Sequence, residues 1–441
     1  MNLIRRAGCF AIIFAITLAI ITMHAMAQET ETTPLNSGDT AWVLVSAALV
    51  MLMTPAVGLF YGGMVRKKNV LAIIMQSFII LAIISIQWVL FGYSLAFGPD
   101  KWHGLIGGLE WIGLNGVGAA PNPDYAATIP ASVFMIFQAM FAIITPALII
   151  GAFADRMKFS TMMVFTVLWA TLVYDPVAHW VWGIGGWIRM LGALDFAGGT
   201  VVHITAGISA FVAAIIIGKR LGFGNENMAP HNVPMTIIGG VLLWFGWFSF
   251  NAGSALAANG LAANAFIVTN TAAATAALTW TIVSWTHGGK PNAVGIITGG
   301  VAGLVAITPA SGFVGPIAAI IIGIGAGFFC YFAMHLRSKK TDIDDSLDVF
   351  ACHGVGGIWG AIATGIFASI AVNSAGADGL IYGNPGLVVK QLIAIVAVLV
   401  YSLLMTAIIL KVLDATMGLR VKDEHEVEGL DVSLHGEKAY L

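Results

Sequence analysis

Residues 194–207 read LDFAGGTVVHITAG, and this run carries an aspartate and a histidine eight positions apart among small and apolar residues. Eight helical residues rise by about 12 Å, so His203 is too distant to serve simply as the partner of Asp195. Ionisable groups within a membrane span are costly unless they face a cavity or a partner. Both residues are therefore candidate functional residues, and each requires its own explanation.

The composition indicates an all-α integral membrane protein. Of the 441 residues, 59% are hydrophobic and only 10% are charged, which is far from the balance of a soluble domain. A net charge of −2 and the lack of a dense basic patch exclude nucleic acid as a partner and leave the lipid bilayer as the surroundings. No GxxxxGK[ST] motif occurs, and nothing indicates an ATPase or another enzyme.

Residues 1–27 have the features of a signal peptide. Arg5 and Arg6 precede the apolar run CFAIIFAITLAII, and the triplet AMA that ends at residue 27 has the small residues that a cleavage site prefers. The mature chain is therefore expected to begin near Gln28.

The rest of the chain, after residue 38, is a series of apolar stretches long enough to cross a bilayer core of roughly 30 Å. We predict eleven spans, which divide the mature chain into an eleven-helix domain at 28–413 and a polar tail at 414–441. The predicted spans are 40–64, 70–97, 129–153, 160–183, 199–218, 233–257, 264–286, 293–310, 314–336, 347–371 and 387–412.

Basic residues are distributed unequally between alternate loops. The loops after odd-numbered spans hold eleven of them, whereas the opposite side has Lys101, Arg189 and Lys390. The positive-inside rule then predicts a multi-pass protein of the cytoplasmic (inner) membrane, with its N-terminus outside after signal cleavage and its tail in the cytosol. The eleven are Arg66, Lys67, Lys68, Arg156, Lys158, Lys219, Arg220, Lys290, Arg337, Lys339 and Lys340.

A weak internal repeat relates the two halves. GLFYGG (58–63) in the first span is similar to GWFSFNAGS (246–254) in the sixth, and DFAGGTVVH (195–203) is similar to DVFACHGVGG (348–357) in the tenth. Because each repeat has five spans, an odd number, the second copy must be inverted relative to the first. Inverted repeats are typical of transporters, whose path runs between the copies. The eleventh span is then peripheral.

The repeat affects the interpretation of the buried polar residues. A single histidine could simply hydrogen-bond across a helix pair, but His203 and His353 at comparable positions favour a pore-lining role. For Asp195 and Asp348, which open their spans, helix capping and direct attraction of a cation both remain open.

Only Cys352 lies near a histidine at metal-ligand spacing, so no metal and no other cofactor is expected.

Aromatic residues are dense near the presumed span ends. Most are expected to form an interfacial belt or to pack, although a subset could bind a small cation through the ring faces. They are Trp180, Trp182, Trp187, Trp244, Trp247, Phe248 and Phe250.

Six segments follow one another along nearly all of the mature chain: GLFYGGMVRKKN (58–69), QAMFAIITPALIIGAFADRMKFS (138–160), ALDFAGGTVVHITAG (193–207), WFGWFSFNAGSALAANGLAANAF (244–266), DVFACHGVGGIWG (348–360) and GLRVKDEHEVEGLDVSLHGEKAY (418–440). Together they strongly resemble the ammonium transporter family (Amt/Mep, related to the Rh proteins). The resemblance implies a homotrimer with one pore per subunit between two inverted halves.

Roles for individual residues are implied by their positions in these motifs. They are Phe141, Trp182 and Ser254 as the ammonium recruitment site; Phe141 and Phe250 as a gate; His203 and His353 as twin pore histidines; Phe60, Tyr61, Trp247 and Val349 as the lower pore lining; and Asp195 as an acid that supports the recruitment site.

The implied function is nitrogen uptake by ammonium transport, with methylammonium as an analogue. Because an apolar pore penalises an ion far more than neutral ammonia, we expect deprotonation near the gate and a proton relay through the histidines. An Rh-like channel for ammonia or carbon dioxide gas and an ammonium sensor on the same scaffold remain open.

Two residues depart from the family pattern, and the tail allows two interpretations. Ser249 stands where the family usually has glycine, and Asp175 is an extra acid where the following proline suggests a solvated break in the helix. The tail at 414–441 could be a solvated end without a partner. The resemblance instead implies packing on the inner face of a trimer and control by a PII-type signal protein.

Overall fold

The apolar segments form helices at the positions that the sequence predicts. The computed structural model describes residues 35–440, so the predicted signal peptide at 1–27 lies outside the described residues. Each predicted span overlaps one of the helices α1–α11, several of which extend beyond the predicted bounds. Their bounds are Ser37–Met64, Lys67–Phe97, Ala131–Phe153, Phe159–Leu191, Gly199–Ile217, Val233–Ala255, Gly260–Gly288, Ala293–Ile307, Pro316–Lys340, Phe350–Phe367 and Pro385–Met417.

Ten helices within residues 35–440 are long and apolar enough to cross a membrane, and α8 is shorter, with 15 residues. Helix α8 is about 22 Å long, and buried turns at 308–313 continue its path. The only strands in the described part of the chain are β1 (Pro121–Asn122) and β2 (Ala126–Pro130), an antiparallel hairpin between α2 and α3. The predicted fold class, a helical multi-pass membrane protein, is therefore confirmed.

Asparagine side chains cap the first turn of four helices. Asn36, Asn232, Asn259 and Asn292 each accept a hydrogen bond from a backbone N–H of the following turn, in α1, α6, α7 and α8 respectively. An asparagine at this position satisfies one of the N–H groups that the helix itself leaves unpaired. The starts of these helices are thus encoded locally.

Glycines allow the two inverted halves to pack closely. A Cβ atom added at Gly239 of α6 would lie 2.3 Å from the backbone N of Phe60 in α1, and one at Gly207 of α5 would lie 2.1 Å from the backbone N of Gly354 in α10. No larger residue fits at either crossing without moving the backbone. The two crossings join α1 to α6 and α5 to α10, the same pairs that the sequence repeat relates.

Helices α5 and α10 both begin with a π-helical turn. The turns are Gly199–Ile204 and Phe350–Val355, and they carry His203 and His353 respectively. Turns of this kind occur mostly as single insertions in α-helices, frequently at functional sites. The repeat thus extends to a local backbone irregularity, which places a histidine at matching points of the two halves.

The tail is folded and docked on the bundle. After α11 ends at Met417, it forms two short helices, α12 (Asp423–Glu428) and α13 (Leu430–His435). The predicted boundary at 413/414 therefore falls within the last turn of α11, and the division into domains stays a prediction. We call the end of the bundle where residues 418–440 lie the tail face.

Specific contacts hold the tail to the first turns of α2. The Asn69 amide oxygen accepts a hydrogen bond from the backbone N of Leu430 at 2.8 Å, and a carboxylate oxygen of Asp431 accepts one from the backbone N of Ala72 at 2.8 Å. Leu430 is 1% exposed and packs against Ala72. The tail is therefore not a solvated end, because it packs against the bundle; the presence or absence of a partner protein stays a prediction.

Buried ion pairs connect several loops at the tail face. Arg220 at the end of α5 pairs with Asp344 between α9 and α10 at 2.8 Å, and Arg66 pairs with Asp155 at 3.0 Å. The Glu426 side chain of the tail is fully buried and pairs with Arg420 at 2.7 Å. Loops that the charge pattern assigned to one side of the membrane thus meet at one face of the bundle.

Candidate functional site

A pocket of about 160 Å³ lies at the end of the bundle opposite the tail face. Helix α4 starts beside the tail, where the backbone N of Lys158 donates to Leu419 O, and it reaches this pocket at Trp182. Phe141, Trp182 and Ser254 all line the pocket, and the Phe141 and Trp182 rings meet edge to face with centroids 5.9 Å apart. The three residues that the resemblance assigned to recruitment are thus brought together.

Hydrogen bonds hold both polar side chains of this trio. Trp182 Nε1 donates to the backbone oxygen of Asp195 at 2.9 Å, which fixes the plane of the indole ring. Ser254 Oγ donates to the backbone oxygen of Phe250 at 2.8 Å. Because the serine hydrogen is used in this way, its oxygen presents lone pairs as an acceptor.

Asp195 caps the start of α5. One carboxylate oxygen accepts hydrogen bonds from the backbone N of Gly198 at 2.8 Å and of Gly199 at 2.7 Å, and the other accepts from the backbone N and the hydroxyl of Thr200. Asp195 lines neither this pocket nor the larger cavity beside the histidines, so capping accounts for its position. It is connected to the pocket through its own backbone oxygen, the acceptor of Trp182 Nε1.

Asp348 does not have the same role in the second half. Its carboxylate pairs with Arg337 at 2.7 Å, whereas a carboxylate oxygen of Asp345 accepts the hydrogen bond from the backbone N of Phe350 at 2.8 Å. The possibility that Asp348 caps α10 is therefore wrong, and Asp345 is the cap that the sequence analysis missed. The sequence signal for this cap was the carboxylate of Asp345, five residues before the first residue of α10, Phe350, in DDSLDVF (344–350).

Two phenylalanine rings in close, tilted contact close the pocket towards the centre of the bundle. The centroids of Phe141 and Phe250 are 4.2 Å apart, and each side chain is 1% exposed. The Phe250 ring also stacks on His203 with centroids 6.0 Å apart. The predicted gate residues therefore lie between the pocket and the histidines.

The two histidines contact each other at the centre of the bundle. Nδ1 of His203 and Nδ1 of His353 are 3.3 Å apart, and the ring centroids are 5.3 Å apart. One Nδ1 must donate and the other accept, so the rings have opposite tautomers and together present one Nε2 donor and one Nε2 acceptor. His203 Nε2 is buried and has no hydrogen-bond partner among residues 35–440.

A larger cavity of about 460 Å³ begins at His353; its lining reaches Met64 and Pro230 and does not include Phe141 or Phe250. Trp247 stacks on His203 with centroids 5.3 Å apart, and its Nε1 donates to Thr308 Oγ1 at 2.9 Å. The lining includes all four residues predicted for the lower pore, Phe60, Tyr61, Trp247 and Val349.

Comparison with known proteins identifies the family. The sequence model described as "Ammonium Transporter Family" matches residues 41–440. The chain belongs to the ammonium transporter family. The recognition made from the six motifs is confirmed, and with it the assignment as an ammonium transporter.

Named relatives agree with this assignment. The transporter is 55% identical to the ammonium transporter of Bacillus subtilis over 406 residues, which are 92% of this chain and 99% of the relative. It is 51% identical to the ammonium transporter Amt1 of Archaeoglobus fulgidus over 92% of this chain and 100% of the relative.

Solved structures share the fold. The crystal structure of Mep2 from Saccharomyces cerevisiae superposes with a TM-score of 0.83 at 40% identity and covers 89% of this chain and 91% of that one. A structure named "Sensor Amt Protein" superposes with a TM-score of 0.82 at 30% identity over 90% of this chain and 98% of that one.

The two departures from the family pattern are buried in this transporter. Asp175 is 0% exposed, and Gln87 Nε2 donates a hydrogen bond to its carboxylate at 2.7 Å. The chain passes here from a π-turn at Ala170–Tyr174 directly into an α-helix. The predicted solvated break in the helix is therefore wrong. Ser249 is 1% exposed within α6, which continues helical through Phe250. Neither residue lines the two cavities.

Proposed function

We propose that the transporter recruits the ammonium ion at the Trp182 pocket, removes a proton near the phenylalanine gate, and conducts ammonia past His203 and His353. In this proposal the histidine pair relays the released proton, so that one positive charge crosses with each ammonia. The observation that carries the proposal is the unbroken series of contacts from the pocket through the paired rings and the histidine pair to the larger cavity.

Recruitment of the ion is supported by the chemistry of the pocket. The ring faces of Phe141 and Trp182 attract a desolvated cation through their negative quadrupoles. The oxygen of Ser254 adds a directed acceptor for one N–H group. Potassium has a similar charge but no N–H donors, so this combination favours ammonium.

Deprotonation is supported by the apolar gate that lies beyond the pocket. The Phe141 and Phe250 rings offer no polar atom that could replace lost water, and an intact ion would meet a much larger desolvation cost than neutral ammonia. Past the gate, one Nε2 donor and one Nε2 acceptor of the histidine pair can each hydrogen-bond ammonia. A pair that shares a proton titrates as one unit, which suits a relay.

The orientation and assembly are also part of the proposal. The Trp182 end would face the exterior and the tail face the cytosol of the inner membrane, as the charge bias of the loops predicts. Asn270 supports the subunit contact that a homotrimer requires, because it is exposed about a third of the way along α7, where an amide facing lipid is unfavourable and a neighbouring subunit would cover it. A folded tail beside the mouth of the larger cavity supports control by a PII-type protein.

Ammonium-dependent current distinguishes a charge-carrying transporter from a gas channel. Purified protein reconstituted into liposomes is expected to give a transient inward current when ammonium is applied, and the current should saturate with concentration. Liposomes without protein and liposomes that receive potassium in place of ammonium are the controls. A silent response at saturating ammonium, in liposomes that still take up methylammonium or ammonia, would contradict net charge transfer and favour gas conduction.

Replacing the recruitment tryptophan tests the cation site in cells. The substitution Trp182→Leu is expected to lower uptake at limiting ammonium about tenfold to thirtyfold, because a desolvated cation–π contact contributes about 2 kcal/mol. The measurement is growth of a transporter-deficient host on limiting ammonium, with the amount of protein in the membrane determined in parallel. Normal growth with the variant, when as much of it is in the membrane as of the unmodified protein, would argue against recruitment by Trp182. Failure of the unmodified protein to restore growth would favour a sensor over a transporter.

A further inference from the structure

The recruitment pocket contains a polar side chain that the proposed function leaves unused. Gln138 lines the pocket together with Phe141, Trp182 and Ser254. It lies three residues before Phe141 in α3, so the two side chains project from the same face of the helix. Any role for Gln138 in ion binding rests on the proposed recruitment site.

The amide oxygen of Gln138 is buried and has no hydrogen-bond partner among residues 35–440. Buried polar atoms are paired in the great majority of cases, and an unpaired acceptor therefore requires an explanation. An acceptor beside aromatic ring faces that attract a cation is where an N–H group of that cation would bind.

The other interior polar groups of the pocket are already engaged. The Tyr125 hydroxyl donates to the backbone oxygen of Phe97 at 2.7 Å and accepts from the backbone N of Ile184 at 3.0 Å. Trp182 Nε1 donates to the backbone oxygen of Asp195. Ser254 and Gln138 therefore remain as the neutral interior side chains of the described pocket lining that can offer an acceptor, Gln138 by a rotation of its amide group that exchanges the positions of its oxygen and nitrogen.

The two charged residues at the pocket are exposed and of opposite sign. Asp124 and Arg189 both lie at the solvent-facing rim, and the guanidinium group of Arg189 can only donate hydrogen bonds. Their formal charges cancel, and water competes for both. Recognition inside the pocket thus depends on ring faces and neutral acceptors and not on a carboxylate.

We propose that Gln138 is a second hydrogen-bond acceptor for the recruited ion and a determinant of specificity for cations that carry several N–H groups. Ammonium has four N–H donors in tetrahedral directions and can satisfy Ser254 and Gln138 together while its remaining face rests on the rings. Methylammonium has three donors and a methyl group, so it has fewer orientations that satisfy both acceptors. Potassium has no donor, and Gln138 gives it no directional advantage.

The experiment compares Gln138→Met, Gln138→Glu and Ser254→Ala in reconstituted liposomes. Methionine is close to glutamine in length and flexibility but lacks the amide acceptor, whereas glutamate keeps an acceptor and adds negative charge. The measurements are KM and maximal rate for ammonium and for methylammonium, obtained from currents or uptake, with potassium as competitor.

Gln138→Met is expected to raise the ammonium KM about tenfold, the size of effect typical for a lost hydrogen bond to a charged group, with a maximal rate within about twofold of the unmodified protein. The preference for ammonium over methylammonium and over potassium should decrease. Gln138→Glu is expected to have a KM at or below that of the unmodified protein, a rescue that a purely structural role would not produce.

The possible results separate this inference from the recruitment site itself. If Ser254→Ala raises KM and Gln138→Met does not, Gln138 is not a ligand and the recruitment site stands. If neither variant changes KM, the recruitment site is wrong as well. If Gln138→Met and Gln138→Glu raise KM equally, Gln138 acts only in packing and the inference is overturned. If Gln138→Met does not reach the membrane, Gln138→Glu still decides, because a raised KM in that variant contradicts the role of an acceptor.

Discussion

Replacing Asp195 by alanine is expected to reduce ammonium transport by more than about a hundredfold. The carboxylate accepts three backbone N–H groups of 2.7–2.8 Å and the Thr200 hydroxyl at the start of α5. Hydrogen bonds to a charged group contribute about 1.5–3 kcal/mol each, and a loss of only about 2.7 kcal/mol of transition-state stabilisation corresponds to about a hundredfold in rate. Without this cap, the π-turn that carries His203 and the backbone oxygen that holds Trp182 both lose their position.

Currents from reconstituted Asp195→Ala, compared with the unmodified protein at equal protein content, check this expectation. Asp378→Ala is the matched control, because the Asp378 carboxylate also accepts a backbone N–H group, that of Ile370 at 3.0 Å, but in a loop away from the pore. The control is expected to transport normally. Near-normal transport by Asp195→Ala would show that α5 keeps its geometry without the cap and that the acid is dispensable.

Replacing Asp344 by alanine is expected to lower the free energy of unfolding by about 3–5 kcal/mol, the usual cost of leaving a buried charge without its partner. Asp344 is fully buried and accepts hydrogen bonds from the backbone N, Nε and a terminal nitrogen of Arg220, at 2.8–2.9 Å. Arg156 is also buried and donates to the backbone oxygen of Asp344. The substitution therefore leaves Arg220 with only Asp155, which is 3.6 Å away and already pairs with Arg66, and removes the negative charge nearest to the buried arginines.

The same ion pair predicts a dependence on pH. Burial alone would raise the pKa of Asp344, but the hydrogen bonds and charge of Arg220 and the charge of Arg156 outweigh burial, so its pKa is lowered from 3.8. A carboxyl group whose pKa is lower in the folded state stabilises the fold above its unfolded pKa. This contribution should be complete above about pH 5 and should be lost as the pH falls below about 4.

Thermal or denaturant unfolding of the purified protein between about pH 3 and pH 7 measures both effects. Asp342→Ala is the matched control, because Asp342 is 93% exposed and pairs with Lys219 at 3.1 Å, an arrangement that contributes at most about 1 kcal/mol. Asp344→Ala should be much less stable at neutral pH and should lose less further stability on acidification. Equal stability of the two variants at neutral pH would mean that the buried pair contributes little to the fold.

The sequence predicted the spans well because the bilayer imposes a local requirement. A span needs a certain length of apolar residues, and basic loops are biased to one side, so both signals are legible without knowledge of contacts. All eleven predicted spans overlap a helix, and the asparagine caps of α1, α6, α7 and α8 are likewise local features.

Individual polar residues were predicted less well because the fold decides which of several possible partners each one meets. Asp348 finds Arg337 on the preceding helix, and Asp345 takes the capping role that Asp348 could equally have had. Asp175 is buried because Gln87, 88 positions earlier, donates a hydrogen bond to it. No periodicity or composition distinguishes these outcomes.

Taken alone, the sequence determined that this protein is a membrane protein, how many times it crosses the bilayer, and, through its motifs, which family it belongs to. Only the tertiary structure decided that the tail is docked and that His203 and His353, 150 positions apart, meet with Nδ1 atoms 3.3 Å apart. That meeting requires α5 and α10 to cross at Gly207 and Gly354, where a side chain at Gly207 would collide with the backbone of Gly354. Close packing of two helices is a property of their three-dimensional surfaces, and a linear pattern of apolar residues does not specify it.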